Sequence, residues 1–86
     1  MSAVTEDIIT RAAAHAMLDL DHEQTTRITT AVQAGVTACG RNHGATHFGV
    51  CLACLERSVN DALTGLGFAV DAYESWRMAS VIQDRI

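Results

Sequence analysis

Apolar residues recur along this chain three to four positions apart, and no stretch keeps the strict alternation of a half-buried strand. A first helix is expected to begin after Ser2, with Glu6 and Asp7 in its first turns, where the helix dipole favours acid. Val4, Ile8, Ala12 and His15/Ala16 form one stripe on it, and Ile9, Ala13, Met17 and Leu20 an adjacent one. Together they make a broad apolar face, so this helix should pack on more than one neighbour. Asp21, with Gln24 three residues on, has the form of a capping box and opens a second helix. That helix carries Ile28, Ala31/Val32, Gly35/Val36 and Cys39 on one side, with Gly40 placed to end it.

Residues 40–50 hold Gly40, Gly44 and Gly49 and read as a sharply folded loop. A third helix is expected from about Val50, carrying Cys51, Leu52, Cys54, Leu55, Val59, Ala62/Leu63 and Leu66, with Gly65 and Gly67 at its end. Asp71 and Glu74 repeat the capping-box spacing and open a last helix with Tyr73, Trp76, Ala79/Ser80 and Ile82. Phe68 and Val70 offer one short strand as an alternative. No proline, low-complexity tract or internal repeat stands out. The expected architecture is all-α: one domain over residues 1–86, a small bundle of about four helices, with a zinc-binding loop between helices two and three.

Composition changes that picture in one respect. At 86 residues a core alone gives only about 3–5 kcal/mol, so a bound metal would supply a needed staple. Apolar residues make up 49% of the chain, which is enough for a packed core, but aromatics are only 5%, so Ala, Leu, Ile and Val must fill it. The net charge of −4 removes the basic footprint that nucleic-acid binding requires and disfavours anionic membrane surfaces. No apolar run approaches the roughly 20 residues that span a bilayer. The opening Met1-Ser-Ala-Val-Thr-Glu-Asp carries acid where a signal peptide carries Lys or Arg. A cytoplasmic location is therefore expected, where reduced cysteines serve better as ligands than as disulfide partners. Every basic residue is Arg and Ala is abundant, a codon bias that points to a GC-rich bacterium or one of its phages.

The chemistry is concentrated in Cys39-Gly-Arg-Asn-His43-Gly-Ala-Thr-His47-Phe-Gly-Val-Cys51-Leu-Ala-Cys54. This segment holds all three cysteines, and thiolate and imidazole are the ligands a tetrahedral zinc ion prefers. Cys51 and Cys54, three apart at a helix start, project from one face, and the positive end of the helix dipole favours their thiolates. Cys39 and either His47 or His43 would complete a Cys₃His set, with His47 the favoured of the two. The spacing matches no common zinc finger, although a knuckle followed by Cys-x-x-Cys on a helix is similar to treble-clef sites. Two competing readings are small buried hydrophobes and redox or iron–sulfur use. Histidines clustered between the cysteines favour the metal. His15 and His22, outside the cluster, read as surface or capping residues.

No Ser–His–Asp order, phosphate loop or His-Glu-x-x-His string occurs; a zinc deaminase would need His-x-Glu before its Cys-x-x-Cys, and here no acid lies between Cys39 and Cys54. An enzyme is not expected. The sequence suggests instead a small zinc protein acting through protein–protein contact, as a regulator, adaptor or phage-encoded modulator of a host protein. The alternative is a redox-responsive or DNA-associated regulator using the same cysteines. Tyr73, Trp76 and Met78 on the last helix are residue types favoured in interfaces, so a protein partner or a homodimer is expected there. The competing and blander reading, that Trp76 and Tyr73 are simply core, is the favoured one for the two aromatics.

Overall fold

The computed structural model describes residues 4–43 and 51–86, including all of their side chains except those of 40–43. Among the described residues four helices form, as expected: α1 (Glu6–His15), α2 (His22–His43), α3 (Leu52–Gly65) and α4 (Ala72–Arg85). No strand occurs among the described residues, so Phe68 and Val70 lie in the turn before α4.

Local capping chemistry fixes the helix starts. Thr5 caps α1, accepting from the Ile8 N–H at 3.3 Å, so the helix begins three residues later than its first apolar residues suggested. The box ahead of α2 closes in both directions: Gln24 N–H donates to Asp21 Oδ1 at 2.8 Å and Asp21 N–H to Gln24 Oε1 at 3.0 Å. Asp71 caps α4 by accepting from Glu74 N–H at 2.8 Å. Threonine is a poor helix former, yet α2 contains five of them. Thr25, Thr26, Thr29, Thr30 and Thr37 each donate their hydroxyl to the carbonyl four residues back, which satisfies it without leaving the helix. Gly40 does not end α2, which continues to His43. A glycine weakens a helix by about 1 kcal/mol but ends it only where the backbone turns left-handed.

The halves of the chain follow one plan fifty positions apart. Ala16 and Leu66 end α1 and α3; Leu18 N–H and Phe68 N–H each return to the carbonyl five residues back, Ala13 and Leu63. Asp21 and Asp71 cap the next helices, and Thr25/Ser75, Ile28/Met78 and Val32/Ile82 are buried in turn. The internal repeat that the sequence did not reveal is therefore present as two helical hairpins. Their packing obeys the same symmetry: α1 lies on α4 as α2 lies on α3, while α1 does not meet α3, nor α2 α4. Ile9, Ala12, Ile28, Val32, Leu55, Val59, Leu63, Met78, Ala79 and Ile82 make the shared core.

Two corrections concern faces. Met17 was expected on the apolar stripe of α1, but the helix stops at His15, and Met17 is 92% exposed with a left-handed φ of 59°. Met78 was expected on a partner surface, but it is fully buried, as the counterpart of Ile28. The buried stripe of α4 is Ser75, Met78, Ala79 and Ile82, which turns Tyr73 and Trp76 outward.

The repeat yields a prediction. At the position of Met17 the second hairpin has Gly67, with φ 93°. A side chain in this region costs about 1–2 kcal/mol, which glycine avoids. Offset by the greater freedom of unfolded glycine, Met17→Gly should raise stability by about 0.5–1 kcal/mol, while Gly67→Ala should lower it by about 1 kcal/mol. Urea melts of both variants check this, and shifts of the same sign would contradict it.

Candidate metal centre

The three cysteines converge where the two hairpins meet. Cys39 comes from the C-terminal part of α2, Cys51 is the N-cap of α3, and Cys54 lies in its first turn. Their sulfurs all lie within 4.8 Å of one another. None is in a disulfide. Cys39 is 1% exposed, whereas Cys51 and Cys54 are half-buried.

The spacing carries information about chemistry. Sulfurs at the corners of a tetrahedron, each about 2.3 Å from a central zinc, stand about 3.8 Å apart. Cys39 Sγ and Cys51 Sγ are 3.8 Å apart. A disulfide would bring them to about 2.05 Å. Backbone donors face the same atoms: Cys51 N–H points at Cys39 Sγ at 3.5 Å, and Cys54 N–H at Cys51 Sγ at 3.3 Å. N–H donors aimed at sulfur stabilise thiolate, the form a metal binds. Cys51 thus does double duty, capping α3 through the sulfur that also faces Cys39.

Protons within the cluster are unequally held. The Cys54 thiol donates to Cys51, which lowers the Cys51 thiol from its usual range. Cys54 is pushed up to about 12, first by that hydrogen bond and then by burial. A divalent cation would be needed to hold Cys54 as a thiolate near neutral pH.

Gly35 and Ser58, which sequence reading did not connect with the site, set its geometry. A Cβ on Gly35 would overlap Ser58 Oγ and come within 2.8 Å of Ser58 Cβ, so α2 and α3 cross where only glycine fits. Gly35 lies one turn before Cys39 and Ser58 one turn after Cys54. The close crossing thus delivers the sulfurs to one another. A glycine inside an otherwise regular helix, four residues ahead of a candidate ligand, was the available signal. Both residues, with Arg57 and the three cysteines, line a surface depression of ≈ 450 Å³.

His47 lies outside the described residues, and so does the side chain of His43, whose backbone ends α2. His15 is exposed at the end of α1; His22 Nδ1 lies 4.0 Å from Glu6 Oε1 at the surface. Neither approaches the three sulfurs. No helix among the described residues is long and apolar enough to cross a membrane. The sulfur set is a possible metal centre joining the two halves of an all-α fold. Compared with models of known families, with curated proteins and with solved structures, the chain matches none.

Proposed function

We propose that this chain is a small structural-zinc protein that acts by binding another protein surface rather than by catalysis. The observation that carries the metal half is the sulfur triad, with one S–S separation of 3.8 Å. The donor set fits zinc: soft thiolates at tetrahedral spacing, with His47 or His43 as the fourth ligand, would close the coordination sphere and leave no position for a substrate water. The ion would bind Cys39 from one hairpin and Cys51 and Cys54 from the other, tying the two halves together.

What supports contact is the outer face of α4. Trp76 is 44% and Tyr73 59% exposed, with ring centroids 6.1 Å apart. Arg77 lies over the Tyr73 ring at 5.6 Å and donates to its hydroxyl at 3.2 Å. Tyr, Trp and Arg are the residues most enriched among interface hot spots, and here they form one pre-arranged cluster. At the equivalent positions the first hairpin has Glu23, Thr26 and Arg27, so the aromatic cluster belongs to one half only. The formal charge of −4 continues to favour a protein partner over DNA.

Native mass spectrometry tests both halves together. The expected result is one zinc per chain and a dimer, or a complex with a co-purifying protein, that Trp76→Ala weakens by about 10- to 100-fold without loss of helicity. A metal-free wild-type chain, or association unchanged in the variant, contradicts the corresponding half.

A further inference from the structure

We infer that the three-thiol centre is also an oxidation site, at which a peroxide converts Cys39 and Cys51 into a disulfide that replaces the metal as the link between the hairpins. The inference rests on the zinc reading and adds its regulation. The sulfurs of Cys39 and Cys51 are already in contact at 3.8 Å, across the junction of α2 and α3. Access is graded along the same line: Cys51 is half-buried and open to a small oxidant, while Cys39 is 1% exposed. The depression of ≈ 450 Å³ over the cysteines gives a peroxide room to approach. The Cys54 thiol also reaches Cys51, but a Cys51–Cys54 bond would close within the first turn of α3 and leave the two hairpins unlinked.

The chemistry balances. Cys51 sulfur attacks the peroxide O–O bond, giving a sulfenic acid and hydroxide, which takes a proton from solvent. Cys39 sulfur then attacks Cys51 sulfur; the S–S bond forms, the S–O bond breaks, and the second hydroxide leaves as water with a second solvent proton. Two thiolates have lost two electrons, the peroxide has become two waters, and the metal leaves with its charge unchanged. A thiol reductant reverses the bond and restores the ligands. Because metal and disulfide join the same helices, the oxidised chain should release its ion without losing its helical fold.

The test uses the full chain, zinc-loaded, treated with one equivalent of hydrogen peroxide. Released zinc is read with a chromogenic chelator, and the crosslink by mass after trypsin and chymotrypsin, which cut after Arg41 and Leu52 and so separate all three cysteines. The expected result is one zinc released, a mass lower by two hydrogens, a peptide pair joined through Cys39 and Cys51, and unchanged far-UV helicity. Cys54→Ser should still form this crosslink and Cys39→Ser should not. A Cys51–Cys54 bond, or sulfinic acid with no crosslink, overturns the inference. If the chain holds no zinc at the outset, the metal reading fails, and the same digest still decides whether Cys39 and Cys51 pair.

Discussion

Removing the metal is expected to lower the melting temperature by roughly 15–30 °C. The estimate follows from mass action: zinc at a thousand times its dissociation constant stabilises the folded form by about 4 kcal/mol, and each kcal/mol moves Tm by about 4–8 °C in a domain of this size. The whole stability of such a chain is only about 4–13 kcal/mol. A strong chelator, or Cys51→Ser, should therefore bring the protein close to unfolding, with helicity and tertiary signal lost together. Cys51→Ser is the cleaner variant because the residue is half-buried. Cys39→Ser would add the cost of a hydroxyl in a fully buried place, about 1–3 kcal/mol, whatever the metal does. Acid should act like the chelator, since protons compete for all three sulfurs. Thermal melts by circular dichroism, with and without chelator, check the expectation. A chelator-treated wild type that melts where the untreated protein does would show that nothing at the sulfurs supports the fold.

Gly35→Ala should weaken zinc binding strongly, although the residue is not itself a ligand. By helix propensity alone it would stabilise α2 by about 1 kcal/mol. The new methyl, however, would overlap Ser58 Oγ and stand 2.8 Å from Ser58 Cβ, which is fixed to the backbone and cannot rotate away. Overpacking of this kind costs about 1–3 kcal/mol, which exceeds the propensity gain. The larger effect falls on the metal. Spreading α2 from α3 between Gly35 and Ser58 also parts Cys39 from Cys51 and Cys54, one turn away on each helix. Zinc affinity should fall by about tenfold or more, the scale seen when groups that orient ligands are disturbed. Adding Ser58→Gly removes both clashing atoms and should restore affinity, although the second glycine leaves α3 weaker by about 0.5–1 kcal/mol. Competition titration against a chelating dye reads the affinities. A Gly35→Ala protein that gains stability and binds zinc as before would show that the crossing does not set the site.

Much of this was legible in the sequence because it is local. The Asp21–Gln24 box and the Asp71 cap involve residues three apart and formed where the pattern put them. The three cysteines met because two of them share a helix turn and the third ends the facing helix stripe. What stayed hidden depends on neighbours. The pattern of α4 allows two overlapping faces, and only the packing of α1 and α3 on it decided that Met78 turns inward while Tyr73 and Trp76 turn out. The repeat escaped notice because it preserves burial rather than identity. Ala13 pairs with Leu63, Thr25 with Ser75 and Ile28 with Met78, so volume is redistributed across the shared core while few residues repeat. Met17 escaped for a related reason: only its counterpart Gly67 reveals that its position demands a left-handed backbone.

The central claim is that a zinc ion bound by Cys39, Cys51 and Cys54 joins the two hairpins. X-ray absorption at the zinc edge of the purified full chain tests it most directly, because it counts the atoms around the metal. The predicted spectrum has three sulfurs at about 2.3 Å and one nitrogen at about 2.0–2.1 Å. A shell of oxygen and nitrogen alone, or a preparation without zinc, would contradict it.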